Sequence, residues 1–558
     1  MSQAVERLNG AQIVMRFIER QGIERVAGIP GGAALPLYDA LSESSIEHIL
    51  TRHEQGAGFL AQGMARVTGK LAVCMASSGP GATNLVTAIA DAYMDSIPVL
   101  AITAQVPQAL IGTDAFQECD TFGLMLPITK HNWMVRSVEE LFEVMPEAIR
   151  LAMSGRPGPV SVDIPKDVQM QEMDIPVWPD PVVANTHPQA QPEQIQTMLG
   201  MLAKAKRPVL MVGGGVIHSN CSEDLLRFAE QQQLPTVASF MGLGAMPTTH
   251  PLFLSMLGMH GSRATNMVLE ECDLLIGAGV RFDDRATGKI SEFCPNAAII
   301  HVDVDASELG KLKTPVLAMQ ADIGSVLRAY LVDSQVIDRG DWLARVDELK
   351  RGFGWPDVGD CNVFHPHGLI TRLGQLVGSE SNVFTDVGQH QMWTAQLFPF
   401  SRPRQWSSSG GLGTMGFGLP AAIGAALAQP DRPVLCVSGD GSIMMNVQEL
   451  DTAVEHSLNV KIVIMNNQNL GMVRQQQALF YGERFCAINN RRPVDFAALA
   501  QAMGACGVDL GKVEDPDAAL AEALSTPGPC LINVPICEQE MVFPMVPPGA
   551  ANIEMIGE

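Results

Sequence analysis

The chain of 558 residues has room for two to four domains with sizeable cores. Its 47% hydrophobic and 17% charged residues describe a compact globular protein and exclude a disordered one. A formal charge of -23 argues against a nucleic-acid partner, because phosphate binding wants a basic surface. Eleven cysteines include no C-x-x-C pair, the pattern of reduced thiols in a cytoplasmic enzyme rather than of a disulfide framework.

From Asn9, NGAQIVMRFIERQGIERVAGIPGG predicts an amphipathic helix leading into a strand, without the layout of a secretory signal. No apolar run reaches about 18 residues uninterrupted, so no membrane span is expected. Short apolar runs alternating with helical patterns predict α/β units around parallel sheets. Expected strands are Val26–Ile29, Leu71–Met75, Val99–Thr103 and Val160–Asp163 in a first block. A Pro-rich stretch, Met173 to Gln194, reads as a linker. Strands at Pro208–Val212, Leu274–Ile276 and Ile299–Val304 follow, then a polar break around 351–368. The last block carries Val383–Thr385, Val434–Val437, Lys461–Met465 and Cys530–Val534. The expectation is three doubly wound parallel-sheet domains, at 1–175, 192–345 and 362–558.

In VSGDGSIMMNVQEL, Asp440 stands between Gly439 and Gly441 where a strand ends. Ligands of open parallel sheets bind at such ends, and flanking glycines let backbone approach an anion. An aspartate there equally caps a helix. The run VKIVIMNNQNLGM also ends a strand in amides, Asn466 and Asn467, so two neighbouring strand ends would bring Asp440 and Asn467 to one point. Few hard oxygens, with phosphate and water completing the shell, suit Mg²⁺. No G-x-x-x-x-G-K-[ST] loop occurs.

The GDG…NN pattern resembles the signature of thiamine-diphosphate-dependent enzymes. The resemblance implies that Asp440, the Asn467 side chain and the Asn469 carbonyl hold Mg²⁺ on the cofactor diphosphate. Such enzymes use a glutamate to protonate N1′ of the aminopyrimidine, and such a group belongs in an apolar pocket. RHEQGA matches that segment, which assigns Glu54, although on composition alone a surface charge is favoured. The small face Gly56, Ala57, Ala61, Gly63 and Ala65 predicts tight packing. In this family the glutamate and the metal site belong to different subunits, so a homo-oligomer with active sites at the subunit interface is implied. Met415, in GGLGTMGFGLP, matches the residue propping the cofactor between its rings, or else is a core methionine. Gln389 and His390 match diphosphate contacts, with Gly413, Gly439, Gly441, Ser442, Gly471 and Met472 around the same cofactor.

GIPGGAALPLYDAL, ASSGPGATNL, IGTDAFQECD, SGRPGPVSVDIPKDV, GMLGMHG, RFDDRATGK and MVPPGAANIEM together resemble the catalytic subunit of acetohydroxyacid synthase (acetolactate synthase), most like the bacterial isozyme I form. That implies decarboxylation of pyruvate and joining of its two-carbon remainder to pyruvate or 2-ketobutyrate, the first common step of branched-chain amino-acid biosynthesis. It also implies FAD without net redox, bound by the middle domain, and a small regulatory subunit. PVLMVGGGV ends a strand in three glycines, which suits a pyrophosphate. The resemblance adds Arg156, Gly213, Gly214, Gly215 and His260 as flavin contacts. Gly261, Arg281, Asp283, Asp303 and Asp322 complete that set.

Arg285, in RFDDR, matches the cation for the acceptor carboxylate, or alone makes a local ion pair. Gly32, Ala33, Phe116, Gln117, Lys166 and Met259 match other active-site positions. MVRQQQ puts Gln476 where many relatives carry a tryptophan that favours 2-ketobutyrate, which predicts weak acceptor preference. The alternative function is an FAD-dependent pyruvate oxidase. A silent regulatory homologue is disfavoured by the intact Glu54, Asp440 and Asn467.

Overall fold

A computed structural model describes residues 6–183, 187–333, 336–355, 362–489 and 492–557. Residues 184–186 of the expected linker and 356–361 of the expected break lie outside them. Three six-stranded sheets, all parallel, carry the chain. The first joins Glu47–Leu50, Arg25–Gly28, Ala72–Ala76, Val99–Gln105, Val160–Pro165 and His131–Met134 in that spatial order. The last joins Trp406–Ser407, Asn382–Thr385, Val434–Gly439, Val460–Asn466, Cys530–Pro535 and Cys506–Asp509. Strands counted along the chain within each sheet, both have the order 2-1-3-4-6-5. The middle sheet runs Phe253–Met256, Thr236–Ala238, Pro208–Val212, Leu274–Ala278, Ala298–Asp303 and Leu317–Gln320, which is 3-2-1-4-5-6. In that order the chain reverses direction beside Pro208–Val212, so a crevice opens at its carboxyl end.

Local signals explain the helices. Asn9 and Gln12 form a reciprocal capping box at the start of helix Gly10–Arg20. Helix Glu54–Thr68 begins with His53 accepting from the Gln55 amide and ends at Gly69, whose φ of 70° suits a left-handed cap. A short antiparallel pair, Arg7–Asn9 with Glu172–Asp174, ties the chain's start to the end of the first domain.

The first and last domains share one apolar core. It contains Phe59, Leu60 and Ala61 of helix Glu54–Thr68 together with Ala421, Ala422 and Ala425 of helix Gly418–Ala428. A Cβ at Gly63 would overlap the Ala421 carbonyl oxygen, and one at Gly424 would overlap that of Leu60. The small face expected of the first helix is therefore a close helix–helix contact between domains.

Candidate active site

Gly439 pairs with Met465 in the ladder between Val434–Gly439 and Val460–Asn466, so both strands release the chain side by side. Asp440 is buried and its Oδ2 has no hydrogen-bond partner. Burial pushes its carboxyl up to about 6, against backbone amides of Asp440, Asn467 and Gly441 that pull it down. Asn467 Nδ2 donates to Gln389 Oε1 at 3.2 Å, and Asn467 Oδ1 accepts the Asn469 amide at 3.0 Å. The Asn469 side chain turns away, donating to the Asn467 carbonyl and to Glu538 Oε2. Among the described residues no three His, Cys, Asp or Glu gather to hold a metal. A cation at Asp440 therefore needs amide oxygens and oxygens from its ligand, the donor set of a small hard ion.

His390 is buried beside Gly388 and Gly439, its Nε2 without a partner. Burial pushes the ring down to about 3, so it stays neutral and presents one ring nitrogen to any occupant. Gly441 faces Leu470 and the tip of Met415, which a Cβ there would meet at 3.9 Å. Gly471 leaves no room for a side chain between Gln389 and Asn467. Gln389, His390, Met415, Gly439, Asp440, Gly441, Asn467 and Gly471 are thus brought together. Two supports went unnoticed in the sequence. Buried Asp386 accepts from the Gly416 amide at 2.8 Å and from Ser438 Oγ at 3.1 Å, and Ser442 packs beside it. Asn446 Nδ2 donates to the Gly416 carbonyl at 2.8 Å. Together they fix both sides of the turn that carries Met415.

Glu54 lies at the carboxyl end of the first sheet, where its Oε2 accepts from Asn84 Nδ2 at 2.9 Å. It is half-buried within the single chain. No hydrogen bond or ion pair joins it to Asp440 among the described residues. The same sheet end gathers Lys166, whose Nζ donates to the Gly32 carbonyl at 2.9 Å, and the Ala33 carbonyl, which accepts from Gln169. Gln117, at φ 61°, crosses Gly79 too closely to allow a Cβ there, and neighbouring Phe116 is 87% exposed.

A cavity of about 1060 Å³ runs from the middle domain toward the Asp440 side. That is slightly above the range of roughly 300–1,000 Å³ for small-ligand pockets, so it suits a dinucleotide. Arg156, Gly214, Gly215, His260 and Arg281 line it, as do Asp283, Asp303 and Asp322. Gly213 and Gly261 do not. A Cβ on Gly213 would overlap the Gly279 carbonyl, and one on Gly261 would meet Met256 and Leu257 backbone, so both glycines pack closely against backbone. Asp283 is occupied as a cap, accepting the Ala286 amide at 3.1 Å. Arg156 reaches Ser96 Oγ at 2.7 Å and Glu308 at 3.0 Å. Asp322 accepts from Ser219 Oγ at 2.5 Å. Arg66, His218 and Arg404 also line the space and were not read from the sequence.

At its other end the cavity is lined by Met259, Arg285, Gly413, Met472 and Gln476. Met259 and Arg285 are paired through backbone at 2.8 Å and through Arg285 Nη1 to Met259 Sδ at 3.4 Å. The local ion pair is with Asp284, at 3.6 Å and exposed, so it is weak and leaves the guanidinium accessible.

Family models match in three consecutive parts: the thiamine pyrophosphate enzyme N-terminal TPP binding domain at 8–124, its central domain at 195–330 and its C-terminal TPP binding domain at 386–534. The chain is 56% identical to the acetolactate synthase isozyme 1 large subunit of Escherichia coli (strain K12), over 99% of this chain and 98% of that one. It is 48% identical to the isozyme 2 large subunit of the same organism, over 98% and 99%. Likeness to a probable acetolactate synthase large subunit of Methanocaldococcus jannaschii is 44%, over 97% and 94%. The chain belongs to the acetolactate synthase large subunits of the thiamine-pyrophosphate enzyme family.

Proposed function

We propose that the chain decarboxylates pyruvate and joins the remaining two carbons to a second 2-keto acid, giving acetolactate from pyruvate and acetohydroxybutyrate from 2-ketobutyrate. The observation carrying this reading is the unpartnered Oδ2 of buried Asp440, one neighbouring strand end away from Asn467. Asp440, Asn467 and the Asn469 carbonyl hold Mg²⁺ against the diphosphate, and Gln389 and His390 hydrogen-bond it. Ser442 and the glycines Gly439, Gly441 and Gly471 leave room for it. Met415, beside Gly413, would support the cofactor between its two rings. Thiamine diphosphate, when bound, supplies the carbon nucleophile and electron sink that the reaction needs. Glu54 exchanges a proton with N1′ of the aminopyrimidine. Arg285 pairs with the carboxylate of the acceptor through parallel N–H bonds. Gly32, Ala33, Phe116, Gln117, Lys166 and Met259 line the pocket, and Met472 and Gln476 border the acceptor's alkyl group.

FAD fits the large cavity, with Gly214 and Gly215 toward its pyrophosphate, at the reversal of the middle sheet. The residue ranges 1–175, 192–345 and 362–558 correspond to the pyrimidine-binding, flavin-associated and diphosphate-binding parts. Following the resemblance, we assign each active site to two copies, with Glu54 from one and Asp440 from the other. Phe116, Leu412 and Met445, at 87%, 45% and 54% exposure, supply apolar surface for that pairing. A small regulatory subunit is the further partner, as the large-subunit relatives imply. The described cysteines are all free, which supports the cytoplasm as the compartment. No described helix is long and apolar enough to cross a membrane.

Purified protein with pyruvate, thiamine diphosphate, Mg²⁺ and FAD tests the reading. Acetolactate and CO₂ without an added electron acceptor are expected. Acetate or acetyl phosphate formed only with an electron acceptor would instead mean a pyruvate oxidase.

A further inference from the structure

Three ionisable side chains lie buried where the reaction has no use for them. Arg66, Asp91 and Asp95 are 4%, 0% and 0% exposed at their side chains. Arg66 Nη2 sits 2.8 Å from Asp95 Oδ2 and 3.4 Å from Asp91 Oδ2. Gln62 Oε1 accepts from the same nitrogen at 2.9 Å. All four residues belong to helices Glu54–Thr68 and Pro80–Asp95 of the first domain.

Gln62 Nε2 donates to the Ala88 carbonyl at 2.8 Å, while the remaining side-chain bonds of Arg66, Asp91 and Asp95 go to one loop of the last domain. Arg66 Nη1 donates to the Ser408 carbonyl at 3.0 Å. Asp95 accepts the Gly410 and Gly411 amides at 3.0 and 2.7 Å. Asp91 accepts from Ser409 Oγ, and from Thr414 Oγ1 at 3.2 Å. The guanidinium also stacks 4.8 Å over the Phe417 ring. One cation beside two carboxylates leaves surplus negative charge in a dry interior, and these hydroxyl and amide donors offset it. Burial, then the charge of Asp95, accordingly raise the Asp91 carboxyl above the usual range.

The loop has no regular structure from 408 to 414 and includes Gly410, Gly411 and Gly413, so its own sequence scarcely sets its path. It borders two sites. Ser409, Gly410, Gly411 and Leu412 line the large cavity, as Arg66 and Asp95 do. Met415 follows directly and reaches the Gly441 turn. Arg281, also on the cavity wall, donates to the carbonyl of Met94, next to Asp95, at 2.8 Å.

We propose that Arg66, Asp91 and Asp95 are positioning residues that couple the two sites: a dinucleotide in the cavity stiffens the 408–414 loop and so tightens thiamine diphosphate binding. This rests on the flavin reading above. By linkage, thiamine diphosphate tightens the flavin by the same factor.

Calorimetric titration of thiamine diphosphate with Mg²⁺ into flavin-free and flavin-loaded protein tests it. Wild-type protein should bind about tenfold more tightly when loaded, inside the roughly 5–150-fold range of coupled sites. Asp95→Asn and Thr414→Val should each bind both ligands with that ratio reduced toward one. Thr414→Val keeps the buried ion pair, so it decides the matter if Asp95→Asn does not fold. Equal affinities in loaded and flavin-free wild-type protein would overturn the coupling and leave the flavin reading intact. A full ratio in Thr414→Val and in any folded Asp95→Asn would overturn the role of the triad. Wild-type protein that binds thiamine diphosphate but no flavin would overturn the flavin reading, and the coupling with it.

Discussion

The amide of Arg52 donates to Oε1 of Glu449 at 3.0 Å, so the turn that opens the Glu54 helix is held by the domain that carries Asp440. Arg52 adds side-chain contacts to Asp451 at 2.6 Å and Glu455 at 2.8 Å. Gly56, one turn on, has no room for a Cβ beside the Glu449 carboxylate. Each chain thus ties its own Glu54 helix to its own Asp440 domain.

Glu449 makes this clamp sensitive to pH. Burial is the main cause that pushes its carboxyl up to about 7 from an ordinary glutamate's 4.5, against bonds from Thr452, Arg52 and His53. A raised folded value means that its contribution to stability is complete below about 4.5 and lost as pH rises through about 7. The unfolding midpoint of wild-type protein should therefore fall over that window relative to Glu449→Gln, and converge with a constant offset above it. Thermal unfolding of both proteins across pH 4.5 to 8, read as a difference, checks this; parallel profiles would contradict it.

Gly63→Ala should destabilise the chain. The added Cβ meets backbone, the Ala421 carbonyl, rather than a flexible side-chain end, so helix Gly418–Ala428 must move. Overpacking of this kind costs typically about 1–3 kcal/mol. Denaturant unfolding of the variant should show the loss, and a midpoint equal to wild type would refute the close contact.

Asp440→Ala should weaken thiamine diphosphate binding more than it slows turnover at saturation. It removes the anionic oxygen that has no protein partner, leaving the cation with amides alone. The check is the half-saturating cofactor concentration at fixed Mg²⁺, which should rise while turnover at saturation changes less.

Gln476 and Met472 share the cavity end with Arg285. One methylene in a well-formed apolar pocket is worth about 1–3 kcal/mol, or roughly 10–200-fold in selectivity. An amide wall forfeits most of that, so pyruvate and 2-ketobutyrate should compete on near-equal terms. Gln476→Trp should shift the product ratio toward acetohydroxybutyrate in assays with both keto acids present. A wild-type enzyme favouring 2-ketobutyrate by about a hundredfold, near the top of that range, would remove Gln476 from this role.

The central strands were legible because buried parallel strands read as continuous apolar runs, as in Val434–Val437 and Cys530–Val534. Strands overlooked in the sequence are mostly sheet edges: Glu47–Leu50, His131–Met134, Phe253–Met256, Leu317–Gln320, Trp406–Ser407 and Cys506–Asp509. An edge is half exposed and carries no such run; EHIL and HNWM are mixed in polarity. Thr236–Ala238 is an interior strand but only three residues long. The Asp440 and Asn467 strand ends were legible because each follows directly on a continuous apolar run. Asp386, Asn446, Glu449 and the Arg66 group were not, since each holds backbone that is distant in sequence and any hydrogen-bonding side chain at that point would look alike.

Mixing two inactive variants tests most directly whether Glu54 of one copy acts on the cofactor held by Asp440 of another. Glu54→Gln alone should lose about 10²–10⁴-fold in turnover while still binding thiamine diphosphate. Asp440→Ala, assayed below its raised cofactor requirement, should be similarly silent. Unfolded together and refolded, the two should form mixed dimers in which one site combines an intact Glu54 with an intact Asp440. With random pairing, about a quarter of wild-type activity should return. No recovery, with both variants folded and mixed oligomers demonstrated, would contradict a site shared between copies.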